Sequence, residues 1–460
     1  MNHTFQAPSA LLEDGWHDAV TIAVNSDGWI ESVDVDNDSP ADHLLNGPVI
    51  PGIPNIHSHA HQRAMAGLAE KASGNRDSFW SWREAMYRTV ETLDPDNLYD
   101  IARQLYLEML RAGYTSVAEF QYLHHDINGA AYQQPAEMTL ACLQAARDVG
   151  IGFTALPVLY AYSGFGSKPA ESAQRRFINN HDTYMRIVGD IHKACRSSAD
   201  FADNCSLGIA PHSLRAVDEQ LLSDTLASCA DIAQVVHIHI AEQVREVEES
   251  MAFSSQRPVE WLLDKFDVNE RWCLVHATHT NTTEIEAIAR SSAVVGLCPT
   301  TEANLGDGFF DLPTFMANNG RFAIGSDSQI SISPVEELRW LEYGQRLVHQ
   351  LRNVSASDDS PHTGQTLLNH ALVGGRQASG RDTGAITVGK RADFIVLDNN
   401  HPRLAGRSDS NLIDSFIFSG NDTLVTDVFV GGRQVISNGH HHEEADITSR
   451  YQRTITNLGH

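Results

Sequence analysis

An α/β architecture is what this sequence predicts: a (β/α)8 barrel of the TIM type, carrying a small β-sandwich built from both chain termini. Three observations lead there. Between about residues 51 and 380, eight short apolar runs alternate with longer amphipathic stretches. That alternation implies a parallel sheet with crossover helices, and eight units suggest closure. Strand-like segments with turn signals stand at both ends of the chain. Finally, 460 residues accommodate one barrel of about 250–350 residues and a smaller domain.

In chain order, Asp18-Ala-Val-Thr-Ile-Ala-Val and Trp29-Ile-Glu-Ser-Val-Asp read as strands around an Asp27-Gly28 turn. The eight barrel strands are expected to end near His57, Gln121, Tyr160, Pro211, His239, His276, Pro299 and Ser326. Amphipathic stretches such as Asn97 to Arg111 and Glu137 to Val149 are read as helices between them. Residues 384–398 and 424–437 return to β structure. The expected domains are therefore a composite of 1–50 with 381–460, and a catalytic barrel over 51–380.

Composition narrows the function classes. The net charge is −26, from 33 Lys and Arg against 59 Asp and Glu. Nucleic acid and anionic membranes both require local cationic surface, so neither is an expected partner. An anionic small molecule would need arginines placed beside it. The six cysteines, Cys142, Cys195, Cys205, Cys229, Cys273 and Cys298, form no C-x-x-C pair. They read as reduced, mostly buried thiols of a cytoplasmic protein. The N-terminal Met-Asn-His-Thr-Phe-Gln lacks the basic and apolar regions of a signal peptide. No apolar run approaches the roughly 18 residues of a membrane span.

The chemistry is concentrated at the strand ends. In Ile56-His57-Ser58-His59 the imidazoles stand two apart, on one face of a strand, and can approach one ion. In His237-Ile-His239-Ile-Ala-Glu242, His237 and His239 share a face. His239 is preferred because Glu242 then lies just past the strand, where a carboxylate can carry a proton without binding metal. His237 is read as a packed histidine. His276 ends Trp272-Cys-Leu-Val, with His279 as its competitor, and Asp327 ends Phe322-Ala-Ile-Gly-Ser. A buried aspartate at such a place is costly unless paired or metal-bound. Together these residues predict one divalent ion, for which three nitrogens and one or two carboxylate oxygens suit Zn²⁺ best without excluding Fe²⁺ or Mn²⁺. Zn²⁺ lowers the pKa of its water to about 7, supplying hydroxide at neutral pH.

These motifs resemble the amidohydrolase superfamily, in its deaminase-type branch with one metal. The resemblance extends to Gly384-Ala-Ile-Thr-Val-Gly-Lys-Arg-Ala-Asp-Phe-Ile-Val-Leu-Asp398 and spans essentially the whole chain. More narrowly, four segments resemble the formimidoylglutamate deiminases of histidine degradation. They are Pro54-Asn-Ile-His-Ser-His-Ala-His-Gln-Arg-Ala-Met-Ala-Gly-Leu-Ala-Glu70, Ala210-Pro-His-Ser-Leu-Arg215, His239-Ile-Ala-Glu-Gln243 and Cys298-Pro-Thr-Thr-Glu-Ala-Asn-Leu-Gly-Asp-Gly308. The resemblance implies hydrolysis of N-formimino-L-glutamate to N-formyl-L-glutamate and ammonia, by a homodimer. It implies His57, His59, His239 and Asp327 as metal ligands, with Glu242, His276 and Asp327 as catalytic groups. Gln62, Arg83, Tyr122, His212 and Arg215 are implied as substrate contacts. The two arginines answer the need of a dicarboxylate in an acidic protein, since a guanidinium pairs with a carboxylate through two parallel hydrogen bonds.

His61 is not carried over as a ligand, and His124-His125 is read as loop or support. The Gly439-His-His-His442 tract is read as a solvated tail. Neither Lys71 nor Lys168 ends a strand, which favours a single metal over a lysine-bridged pair. A different deaminase of this branch, acting on a guanidino compound or nucleobase-like ring, is the alternative. A non-enzymatic barrel protein is disfavoured because the ligand set is intact.

Overall fold

The computed structural model describes residues 3–37, 40–71, 79–197 and 199–459, without the side chains of 79–81, 84, 85, 199 and 200. Met1 and Asn2 of the N-terminal segment, and the side chains of Phe79, Trp80 and Ser81 of the aromatic segment, lie outside this set.

The chain opens with β1 (His3–Leu12), β2 (Gly15–Val24), β3 (Ile30–Asp34), β4 (His43–Leu44) and β5 (Val49–Pro51). It then enters the alternating region through β6 (Ile53–Ser58), β7 (Tyr114–Gln121), β8 (Gly152–Leu159), β9 (Cys205–Leu207), β10 (Ala210–Pro211), β11 (Val236–Ile240), β12 (Trp272–His276), β13 (Val294–Leu297) and β14 (Arg321–Ile324). It closes with β15 (Phe394–Leu397), β16 (Val425–Val430) and β17 (Arg433–Ile436).

The alternating region forms two parallel sheets. One has the order β10-β8-β7-β6, with β9 also on β8, and the other β11-β12-β13-β14. Isolated parallel bridges join their edges: Ile209 to Val236 and Ser213 to His239 on one side, Ser58 to Asp327 on the other. Every residue of β6, β7, β8, β11, β12 and β13 is buried. Strands covered on both faces read as continuous apolar runs, which is why they were legible. The helices are set by local signals. Pro95–Ala112 starts with Asp94 accepting from the Asn97 N–H and ends at Gly113, whose φ of 105° is the left-handed stop that glycine allows.

Strands from both termini come together in one eight-stranded sheet ordered β17-β16-β15-β5-β1-β2-β3, with β4 beside β1. Phe5, Phe394 and Phe429 pack at its centre with ring centroids 4.7–5.4 Å apart. Within 384–398, only Phe394–Leu397 is strand.

Two expectations need correction. Cys195 and Cys205 form a disulfide with Cα atoms 5.4 Å apart, so the six cysteines are not all free thiols. The pair joins the end of helix His181–Arg196 to the start of β9, a tertiary proximity that the sequence spacing does not announce. The other four cysteines are buried and free. The C-terminal histidine tract is not wholly solvated either. His441 is buried with its Nε2 3.2 Å from the Val149 carbonyl oxygen, and it leads into helix Glu444–Leu458. Arg103 pairs with Glu443 and Asp446, and Arg111 with Glu444, which docks that helix on helix Pro95–Ala112.

Candidate metal centre and active site

The C-terminal ends of the parallel strands converge on one cleft. His57 lies in β6 and His59 follows it, with ring centroids 4.7 Å apart. His239 reaches the same point from β11, its Nε2 3.0 Å from that of His57. The Nδ1–H of His59 donates to the Phe120 carbonyl at 2.8 Å, and that of His239 to the His212 carbonyl at 3.0 Å. Each bond fixes the ring and leaves the Nε2 lone pair facing the cluster, the arrangement a metal-binding imidazole needs. Asp327 brings Oδ1 to 3.3 Å from His59 Nε2 and 3.7 Å from His57 Nε2. Ligand atoms of His57, His59 and His239 all lie within 4.8 Å of one another, as do those of His276, Cys298 and Asp327.

Burial first, and neighbouring imidazoles second, push the His57 and His239 pKa values well below the ordinary range. Burial likewise lowers His59 to about 3. Neutral imidazole is the form that binds a metal. Burial raises Asp327 to about 7, against the pull of His276. A divalent cation among these atoms would hold that carboxylate ionised. The donor set therefore fits a metal ion on its own chemistry.

The backbone carries strain at this point. Ala241, His276, Ala277 and Asp327 have φ of 50°, 68°, 50° and 46° at or just past the ends of β11, β12 and β14. Such conformations cost a non-glycine residue on the order of 1–3 kcal/mol and cluster at functional sites. Asp327 is locked to β6 by two backbone bonds, its N–H to the His57 oxygen at 3.0 Å and its oxygen from the His59 N–H at 3.2 Å. Gly325 permits this approach, since a Cβ there would stand 2.8 Å from His57 Cβ and N.

Glu242 is buried beside the cluster, 3.9 Å from His276 Nε2. His276 Nε2 also lies 3.6 Å from Asp327, while its Nδ1 is 3.2 Å from Glu302 Oε1. Burial opposes charge on His276, but Glu242, Glu302 and Asp327 outweigh it and raise its pKa to about 10. His279 is only half-buried and is not in the cleft wall.

The cleft is lined by His59, Gln62, Arg83, Tyr122, His212, Arg215, His239, Glu242, His276 and Asp327. Of the eleven candidates read from sequence, His57 alone lies deeper. Gln62 Nε2 donates to the Tyr122 hydroxyl at 2.9 Å. Arg83 stands over the Tyr87 ring at 5.4 Å. Arg215 is buried, its Nε 3.9 Å from Glu246 Oε2 and making no hydrogen bond among the described residues. Burial works against its charge, but Glu246, Tyr160 and Glu242 raise its pKa.

Histidines outside the cluster have other work. His237 places Nε2 2.7 Å from the Ala378 oxygen, and His124 and His125 place theirs 2.8 Å from the oxygens of Val158 and Ile178. Lys71 and Lys168 are exposed and away from the cleft.

Sequence reasoning missed four residues here. Glu302 holds His276 and accepts the Cys298 N–H at 2.9 Å. Cys298 was read only as a buried thiol. Tyr160 lines the cleft at a strand end that was noted without a role. Glu119 clamps residues 58–60 from β7, accepting from Ser58 Oγ at 2.7 Å and the Ala60 N–H at 2.6 Å. Burial pushes its pKa up to about 7, against those hydrogen bonds. The carboxylate at Cys298-Pro-Thr-Thr-Glu302, five past the end of β13, was the one available signal.

The model of the amidohydrolase family matches residues 49–435. A Pseudomonas aeruginosa protein named formimidoylglutamate deiminase is 50% identical over 452 residues, 98% of either chain. The crystal structure of an amidohydrolase from Brucella melitensis superposes with a TM-score of 0.94 at 43% identity, covering 100% of both chains. A zinc-bound adenosine deaminase from Xanthomonas campestris shares the fold alone, with a TM-score of 0.80 at 20% identity, covering 99% of this chain and 98% of that one. With the match running through nearly the whole chain, the chain belongs to the amidohydrolase family.

Proposed function

We propose that this chain is a metal-dependent hydrolase that converts N-formimino-L-glutamate and water into N-formyl-L-glutamate and ammonia, a step of histidine degradation. The carrying observation is the charge layout of the cleft. Its wall carries both a nitrogen- and carboxylate-lined cluster and two arginines, in a protein of net charge −26. The similarity to the Pseudomonas aeruginosa deiminase supports the same substrate.

His57, His59, His239 and Asp327 would hold one divalent ion, with Zn²⁺ the best match to three nitrogens and a carboxylate. When bound, such an ion acts as a Lewis acid that brings the pKa of water to about 7. Glu242 takes a proton from the attacking water and delivers it to the departing nitrogen. His276 and Asp327 hold charge and hydrogen bonds around the tetrahedral carbon. Arg83 and Arg215 receive the carboxylates, while Gln62, Tyr122 and His212 orient the rest of the substrate.

The two parallel sheets, bridged at both edges, would close as one (β/α)8 barrel over 51–380. The terminal sheet of 1–50 and 381–460 would fold over Phe5, Phe394 and Phe429 as a sandwich. We further assign a homodimer acting in the cytoplasm. No helix among the described residues is long and apolar enough to cross a membrane.

Ammonia release from N-formimino-L-glutamate, with and without chelator, tests the proposal. Chelator should abolish it and Zn²⁺ restore it. The ring-substrate alternative draws on a Pyrococcus abyssi relative, 25% identical over 401 residues, named 5-methylthioadenosine/S-adenosylhomocysteine deaminase. Turnover of adenosine-type compounds or guanine in place of N-formimino-L-glutamate would select that alternative.

A further inference from the structure

His61 is the third histidine of the segment after β6, and the metal cluster leaves it unused. It is fully buried in the 3-10 turn Ala60–Met65, its ring 6.2 Å from that of His59 and edge-on to Tyr122 at 4.7 Å. Its Nε2 lies 2.9 Å from the Tyr122 hydroxyl, and its Nδ1 is buried with no partner among the described residues. The same hydroxyl accepts from Gln62 Nε2 at 2.9 Å.

A phenol oxygen offers one proton and two lone pairs. Gln62 occupies one lone pair, so the state of His61 decides what remains. If Nε2 carries the proton, His61 fills the second lone pair. Tyr122's own proton then has to point at a third group. If the proton were on Nδ1, that N–H would be buried without an acceptor, a worse defect than an unpaired lone pair. A doubly protonated ring would present the same Nε2–H. Gln62 obeys the same logic. Its Oε1 is already the unpartnered atom, and the reverse amide would bury two unpaired N–H groups instead. Tyr122 lines the cleft, and Gln62 and His61 are its hydroxyl partners among the described residues.

We infer that His61 is a positioning residue that, with Gln62, makes the Tyr122 hydroxyl an obligate hydrogen-bond donor into the cleft, aimed at a carboxylate oxygen of the substrate. The inference rests on the proposed function for the identity of that oxygen. It explains why a buried residue that is neither a member of the metal cluster nor itself part of the cleft wall is a histidine. A plain hydrophobe would fill the volume but leave the tyrosine free to turn its proton away.

The test uses the Zn²⁺-loaded full chain, with metal content measured for every variant. The substrates are N-formimino-L-glutamate and its two mono-amides, N-formimino-L-glutamine and N-formimino-L-isoglutamine. Tyr122→Phe should raise KM about 10- to 100-fold, the scale for losing a hydrogen bond to a charged group, with kcat little changed. His61→Leu should raise KM about 3- to 10-fold, because the proton is then no longer confined to one direction. The double variant should be no worse than Tyr122→Phe alone. His61→Gln keeps an N–H and should stay close to the parent. The His61→Leu penalty should shrink on the mono-amide that replaces the receiving carboxylate, because its neutral carbonyl accepts more weakly. Where His61→Leu does not fold, His61→Glu decides. Assayed at about pH 9, above the range to which burial raises a carboxyl, it is ionised and accepts only, so it captures the tyrosine proton and should match Tyr122→Phe. Multiplying losses in the double variant, Gln no better than Leu, equal penalties on all three substrates, or loss of metal from a folded His61 variant would each overturn the inference. A parent enzyme inactive on N-formimino-L-glutamate would overturn the proposed function. A parent active on it with the wrong variant pattern overturns the donor assignment alone.

Discussion

The two arms of the cleft are built on different kinds of backbone. The metal-suited arm stands on strand ends: β6 supplies His57, and β11 and β12 supply His239 and His276. Two of its imidazoles are fixed by main-chain carbonyls, and Asp327 is tied to β6 by main-chain bonds. The arginine arm stands on connections. Arg83 lies in helix Phe79–Val90 between β6 and β7, and Arg215 in the loop after β10. Strand ends hold geometry to fractions of an ångström, whereas loops and inserted helices can change without disturbing the sheets. On the proposed assignment, reaction chemistry and substrate choice would thus be carried by separable parts of the chain.

The sharpest way to break this division is to remove a group from the rigid arm. His59→Ala should lose bound metal and activity together, since no other described side chain replaces its nitrogen. Metal analysis and ammonia release on the same preparation check this. A fully active variant of normal metal content would sink the ligand assignment. Glu242→Gln probes the same arm one step removed. It should keep the metal and slow turnover by about 10²-fold or more, the usual scale for a general acid–base. An empty site in that variant would make Glu242 a ligand instead.

On the flexible arm, a bidentate charged contact is worth about 1.5–3 kcal/mol. Arg215→Met should therefore lower kcat/KM by about 10- to 150-fold with metal content unchanged. Lysine there should rescue only in part, because an ammonium lacks the planar fork. If Arg215→Met and Arg83→Met both stay within twofold of the parent, the dicarboxylate reading falls, and with it the contrast between the arms.

The same contrast explains what the sequence made legible. The eight strand ends were placed within about two residues, because strands buried on both faces are short, apolar and separated by amphipathic helices. The candidate ligands were readable because they sit at those ends. Strand β1 was not foreseen, since Pro8 interrupts it. The β1–β2 pairing passes from Ala7 to Ser9, leaving out the residue without an N–H. The helix Glu444–Leu458 was hidden behind a polar histidine tract whose docking depends on Arg103 and Arg111, more than 300 residues away. Glu119 and Glu302 were missed for a related reason. Each acts by holding another residue, through contacts 61 and 26 positions apart, and no local pattern records such a partnership.

Glu302→Gln is the smallest expected effect and the finest test, because it acts on the rigid arm without touching the cleft wall. The amide keeps the size of the carboxylate and can still accept from the Cys298 N–H, so the strand end should hold its shape. What it removes is negative charge beside His276. Burial lowers the pKa of His276, whereas Glu242, Glu302 and Asp327 raise it, to about 10. Without the Glu302 charge the balance shifts towards burial, and His276 gives up its proton at lower pH. If the protonated ring supports turnover, the alkaline limb of the kcat profile should move to lower pH. The loss near pH 7 should be modest, about tenfold, at the low end for a partner that orients an active-site group. It should deepen as pH rises. A uniform loss at every pH would mean that Glu302 only shapes the loop after β13. A limb that moves while metal content stays constant would make His276 a charged participant whose proton is held in place from 26 residues away.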